Sequence, residues 1–148
     1  MSIPFDESFQ QTLHIRDHCL CLHVQRAARA LARRFDEALR PLGITHGQFS
    51  LLNALNRPQP ASMTSVATLL AMDRTTLTAN LKVLERKGLA KIAIDKEDKR
   101  SRRLSLTPAG KALLARAVPV WKREHAAVER MLGKPDPDQM RAGLVSLS

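Results

Sequence analysis

Nine basic residues crowd the stretch from Lys82 to Arg103: Lys82, Arg86, Lys87, Lys91, Lys96, Lys99, Arg100, Arg102 and Arg103. Four acids oppose them: Glu85, Asp95, Glu97 and Asp98. Lysine and arginine at this density bind anions, and a guanidinium can set two parallel N–H groups against a phosphate or against the edge of guanine. Just upstream, Arg74, Thr75, Thr78 and Lys82 fall on one face of a helical pattern, with Ala79 between them. A threonine hydroxyl bonds to phosphate, and its methyl can touch a thymine methyl. Asp73 opens this helix, and a helix start is where backbone N–H groups favour anions.

The formal net charge of +10 fits a polyanionic partner, either nucleic acid or an anionic membrane surface. The basic residues gather in one segment instead of running along an amphipathic helix, which favours nucleic acid over membrane. Catalytic chemistry has no comparable support. The chain has no nucleotide-binding glycine loop, no Gly-x-Ser-x-Gly elbow and no paired His/Glu metal motif, so neither an enzyme nor a cofactor is expected. His14 with His18, and Cys19 with His23, stand four residues apart and could each share a metal. The two pairs do not share one helical face, so surface and interface roles are expected for them and no metal.

The elements that must position the basic residues are legible from apolar spacing. Residues 1 to 12 read as a flexible tail. From His14 to Leu39, Leu20, Val24, Ala27, Ala28, Leu31, Phe35, Ala38 and Leu39 recur at helical steps, and Pro41 and Gly43 stop the pattern. Thr45 and Gln48 form a capping box before a short helix with Phe49, Leu52 and Leu55 inward. Ser62 or Thr64 caps a third helix holding Val66, Leu69 and Leu70. Asp73 caps a fourth from Arg74 to Lys87, with Leu77, Leu81 and Leu84 inward and Gly88 just past its end. Leu89 to Ile94 and Arg102 to Leu106 read as the strands of a hairpin around the charged turn of residues 95–100. Thr107-Pro108 opens a long helix to Leu132, with a kink expected at Pro119. A short last helix spans Asp138 to Leu147.

Apolar residues make up 44% and charged residues 26% of the 148 residues, the balance of one folded, soluble domain. Aromatics are only 3% with no tyrosine, so the core must come from Leu, Ala, Val and Ile, which suits packed helices. No run of 18 apolar residues exists to span a membrane, and the polar, acidic N-terminus is no secretory signal. One Cys pair without a signal is not a disulfide scaffold, so a cytoplasmic location fits.

Two short helices joined by a tight turn and followed by a basic hairpin define the winged form of helix-turn-helix. The second helix would enter the major groove, and the hairpin would reach the flanking backbone or minor groove. The expected class is mainly α with a small β-hairpin wing. The motifs Asp95-Lys96-Glu97-Asp98-Lys99-Arg100 and Leu106-Thr107-Pro108-Ala109-Gly110 resemble the D-x-x-D-x-R…L-T-x-x-G signature of the MarR family of bacterial transcription regulators. Leu42-Gly43-Ile44-Thr45…Gln48-Phe49 and Leu84-Glu85-Arg86-Lys87-Gly88-Leu89 resemble the same family at the start of the second helix and at the helix-to-wing joint. The resemblance covers roughly residues 16 to 132.

It implies one domain over 13–148, with a DNA-binding core over about 45–106 and dimerisation helices over about 14–40 and 108–147. It implies a homodimer on a palindromic double-stranded operator, repression relieved by a small-molecule effector, and no membrane partner. Periodicity agrees in part: the stripe of Leu113, Leu114, Val118, Trp121, Val128 and Leu132 needs a partner surface. The resemblance also implies that Arg100 reaches the minor groove while Asp98 holds the wing, with a basic neighbour as its candidate partner. The DNA-binding set is Arg74, Thr75, Thr78, Lys82, Lys99, Arg100 and Arg102. Ala79 stands where the family often has a basic residue, which shifts base readout onto its neighbours.

Cys21 matches the reactive cysteine of the family's organic-hydroperoxide-sensing branch and is the candidate redox sensor. That branch holds its cysteine with tyrosines, and the matching positions here are Phe35 and His46. The competing reading makes Cys21 a small interface residue. A nonspecific architectural DNA binder is the other alternative. Arg26, Arg29 and Arg33 could line an effector pocket or simply be surface charges.

Overall fold

The structure is a computed structural model that describes residues 5–148, with the side chain of Phe5 excepted. The chain divides between Arg34 and Phe35 into two compact units. In the first, α1 spans Phe5–His18 and α2 begins at Leu20, running through Leu39. Helical hydrogen bonds cross the junction, from Cys19 N–H to Ile15 O (2.9 Å) and from His23 N–H to Cys19 O (3.1 Å). The sequence reading expects a flexible tail over residues 1–12, yet residues 5–12 are helical; residues 1–4 lie outside the described residues. Asp6 and Glu7 in the first turn and Arg16 and His18 in the last suit the helix dipole, a local preference that apolar spacing does not reveal. None of residues 6–34 is buried.

The second unit holds the core. Leu39, at the end of α2, is fully buried, and a 3-10 turn over Arg40–Leu42 ends at Gly43 with φ of 72°. Helix α3 (His46–Leu55) starts with the expected capping box: Thr45 Oγ1 accepts the Gln48 N–H at 3.2 Å, and Gln48 Oε1 accepts the Thr45 N–H at 3.1 Å. It buries Phe49, Leu51, Leu52, Ala54 and Leu55. Then come β1 (Ala61–Ser62), α4 (Met63–Leu70) and α5 (Arg74–Arg86). Strands β2 (Ala90–Ile94) and β3 (Arg102–Leu106) form the expected hairpin, with Ile92 opposite Leu104. Strand β1 adds to its other edge, with Ala61 opposite Leu104 and Ser62 opposite Arg103, giving an antiparallel order β1-β3-β2. Two residues carry no readable period, so this third strand is not visible in the sequence.

Helices α6 (Pro108–Met131) and α7 (Pro137–Val145) complete the unit. Pro119 sits inside α6, and Asp136 with Gln139 caps α7. Leu52, Val66, Leu77, Leu84 and Leu104 are fully buried, and each such leucine contributes roughly 1.5–3 kcal/mol by leaving water. Trp121 on α6 stacks on His125 (centroids 4.5 Å apart) and faces Phe49 of α3 (6.5 Å).

The tight turn after α4 depends on Ala71, which sits in the left-handed region at φ of 49°. Its Cβ is crowded there, a cost that glycine avoids. Ala71→Gly is therefore expected to raise stability by about 0.5–1 kcal/mol, the strain relief outweighing the added freedom of the unfolded chain. An unchanged or lower urea midpoint would contradict this.

Candidate nucleic-acid interface

Helix α5 is set at its start by Asp73. Its Oδ1 accepts the Thr76 N–H at 2.8 Å and its Oδ2 accepts the Thr76 hydroxyl at 2.9 Å. Leu77, Leu81 and Leu84 are buried, which turns the opposite face outward. Arg74, Thr75, Thr78 and Lys82 all lie exposed on that face, with exposed Ala79 among them. At about 1.5 Å per residue, the run from Arg74 to Lys82 is about 12 Å long, comparable to the width of a major groove.

The end of α5 is anchored as firmly as its start. Gly88 takes φ of 73° and turns the chain into β2. Lys87 Nζ donates to Gly43 O at 3.1 Å and stands 3.5 Å from Gln48 Oε1, which ties this end to the start of α3. Glu85 Oε2 accepts the Ile92 N–H at 3.4 Å, linking helix to wing.

Two aspartates shape the wing. Asp95 is largely buried; its carboxylate accepts the Glu97 N–H at 2.9 Å and pairs with Arg103 Nε at 2.8 Å. Asp98 Oδ1 accepts the Arg100 N–H and its Oδ2 the Ser101 hydroxyl, each at 3.0 Å. The sequence reading has Asp98 hold the wing by pairing with a basic neighbour. Instead Asp98 caps backbone at the tip, and the ion pair belongs to Asp95. Both acids suit either role, and only the hairpin register separates them. Lys99, Arg100 and Arg102 are exposed around this fixed tip, with Arg102 Nη1 donating to Lys99 O at 3.3 Å.

Backbone N–H donors hold three carboxyls below the usual range: Asp36 chiefly through the His46 N–H, Asp73 through that of Thr76, and Asp95 through that of Glu97. In the unfolded chain these groups bind protons more readily, so the stability they contribute is present above about pH 4. It is lost as pH falls through the lower folded values. The melting temperature is expected to stay level from pH 7 to 5 and to fall below about pH 4, with a shallower fall in Asp95→Asn. A fall that begins near neutrality would contradict the assignment.

In the first unit, Cys21 is exposed, and Gln25 Nε2 donates to its Sγ at 3.2 Å. Cys19 is half-buried, and His14 and His18 stack at 4.1 Å. No group of three potential metal ligands occurs among the described residues. Of the two positions that replace tyrosines, Phe35 is half-buried. His46 is held by Asp36, whose Oδ1 lies 2.9 Å from its Nδ1 and accepts its backbone N–H at 2.7 Å. Arg26, Arg29 and Arg33 gather with His23 around an open hollow of about 520 Å³. No helix among the described residues is long and apolar enough to cross a membrane.

A short helix turning into an exposed, basic second helix, followed at once by an antiparallel hairpin with an arginine-rich tip, is a winged helix-turn-helix module. A profile of the MarR family matches residues 42–101. The organic hydroperoxide resistance transcriptional regulator of Bacillus subtilis is 31% identical over 101 residues, which cover 68% of this chain and 69% of that protein. The M. tuberculosis transcriptional regulator MosR, solved in complex with DNA, is 38% identical with a TM-score of 0.80, over 88% of this chain and 93% of that one. The transcriptional repressor CouR, bound to a 23-mer DNA duplex, is 29% identical with a TM-score of 0.79, over 90% and 94%. The chain belongs to the MarR family and is, at that level, a DNA-binding transcription regulator.

Proposed function

We propose that the protein represses transcription as a homodimer on a palindromic operator and is released by a small ligand. Helix α5 reads the major groove through Arg74, Thr75, Thr78 and Lys82, while Lys99, Arg100 and Arg102 carry the wing to the flanking backbone and minor groove. The observation that carries this reading is the exposed basic face of α5 beside a wing tip fixed by Asp95 and Asp98. Dimerisation is supported by apolar side chains left in water: Leu20 and Leu31 on α2, and Leu144 and Val145 on α7. A second copy would cover them, and two-fold symmetry would place half-sites about one helical turn apart. The hollow beside Arg26, Arg29 and Arg33 suits an anionic effector, repression follows CouR, and the place of work is the cytoplasm.

The test is a gel-shift titration against the protein's own upstream intergenic DNA and a scrambled control at one salt concentration. A preference of roughly a thousandfold or more supports a sequence-specific regulator. Equal binding to both, repeated with duplexes selected from a random library, would leave a nonspecific binder. Within this reading, Asp98→Ala is expected to loosen the wing tip and weaken operator binding several-fold at unchanged melting temperature. Asp98→Asn, which keeps an acceptor for the Arg100 N–H, should retain most of the affinity.

A second reading makes Cys21 a thiol sensor of oxidation. Its exposure and its Gln25 contact favour this, as does the hydroperoxide-resistance regulator among the relatives. Under this reading an organic hydroperoxide should abolish DNA binding and a thiol reductant restore it. Unchanged peroxide sensitivity in Cys21→Ser would remove the idea.

A further inference from the structure

A second hollow, of about 440 Å³, opens between the start of α4 and the end of strand β3 nearest the wing tip, with Arg57, Ser62, Ser65 and Arg103 among its walls. Arg57 is not a loose surface cation. It is half-buried, its Nε donates to Ala54 O at the end of α3 (2.9 Å), and its Nη1 donates to Ser65 Oγ (3.1 Å). Ser65 is fixed in turn, donating its hydroxyl to Ser62 O at 3.0 Å. Across the hollow, Arg103 is aimed by Asp95 and stands opposite Ser62 in the strand register. Asp95 offsets the charge of Arg103, whereas both hydrogen-bond partners of Arg57 are neutral. The hollow therefore holds about one uncompensated positive charge on a guanidinium whose orientation is fixed by the protein itself.

We propose that this hollow seats one phosphodiester of the DNA backbone, making Arg57 and Arg103 a phosphate clamp outside the α5 and wing-tip contacts. The chemistry fits on three counts. A phosphodiester carries a single negative charge, matching the excess. A fixed planar guanidinium favours phosphate over a mobile ammonium group and loses little freedom on binding. Finally, the walls belong to the turn between α3 and β1, to β1 and the first turn of α4, and to the wing strand β3, so a duplex engaged by α5 and the wing passes nearby. The proposal rests on the DNA-binding reading above.

The experiment uses the duplex that the full-length protein selects from a random library. A methylphosphonate is placed at each backbone position in turn, and affinity is measured over a range of salt. Arg57→Gln is expected to lower affinity on the order of tenfold and to reduce the salt slope by about one per subunit. It should also lose the wild type's sensitivity at one methylphosphonate position in each half-site. Arg57→Lys should restore the slope, and Arg103→Gln should lose sensitivity at that same position. An unchanged pattern in Arg57→Gln, or different positions for the two arginines, would overturn the clamp while leaving the regulator intact. If inorganic phosphate shifts the Arg57 Nε–H resonance while Arg57→Gln leaves the methylphosphonate pattern intact, the hollow takes free anions and the DNA assignment fails. A wild type that selects no duplex would overturn the regulator reading itself, and this one with it.

Discussion

Gly110→Ala is expected to destabilise the protein by about 3 kcal/mol or more, a large share of the roughly 5–15 kcal/mol that holds an ordinary domain together. A Cβ at this position would stand 2.1 Å from the carbonyl oxygen of Leu89 and 3.0 Å from its carbon. Both are backbone atoms, so no side chain can swing aside to make room. Nor can the α6 start back away, because Thr107 pins it twice: its N–H reaches Leu89 O at 3.1 Å and its hydroxyl donates to Gly88 O at 2.6 Å. The same hydroxyl oxygen accepts the Gly110 N–H at 3.0 Å, so the helix cap and the close approach form one unit. Gly133→Ala is the control, since nothing lies within 4 Å of its Cβ; a change within about 0.5 kcal/mol is expected there. Urea unfolding of both variants decides the matter. Equal midpoints would show that the joint between α5, β2 and α6 yields more easily than its hydrogen bonds suggest.

Arg100→Ala should lower operator affinity at least tenfold and reduce the salt slope, with the melting temperature unchanged. The tip backbone is organised by Asp98, which accepts the Arg100 N–H and the Ser101 hydroxyl, and alanine keeps that N–H. The variant thus removes a guanidinium without dismantling its mount. If affinity and salt slope both survive, the wing is not a DNA contact. Neither outcome bears on Arg57, whose phosphate contact is read from its own methylphosphonate position.

Most of the reading unit is legible from local rules. Thr45, Asp73 and Thr107 are caps whose partners lie three residues away, and Leu77, Leu81 and Leu84 follow one helical period, so short windows reveal them. Because that period also fixes the outward face of α5, residue spacing alone groups Arg74, Thr75, Thr78 and Lys82. What escapes local rules is chemistry that joins distant segments. Gly110 reads as a motif letter until its distance to Leu89 is known. Lys87 reads as one more basic residue until it meets Gly43. Arg57 lies outside the basic stretch and has no local mark, because its role depends on Arg103 facing it from another element. The helix over residues 5–12 escapes because it buries no stripe that periodicity could find.

The stacked ring of Trp121 gives the molecule a built-in optical reporter. It is the chain's one tryptophan, no tyrosine competes with it, and residues 1–34 contain neither. Its emission therefore follows the second unit alone, while far-ultraviolet circular dichroism sums the helices of both. Heating curves recorded by the two signals would coincide if the units melt together. If they separate, some helix melts independently of the surroundings of Trp121, and the first unit, which holds no tryptophan, is the expected source. A natural chain thus comes equipped to distinguish the cooperativity of its two units, with no label attached.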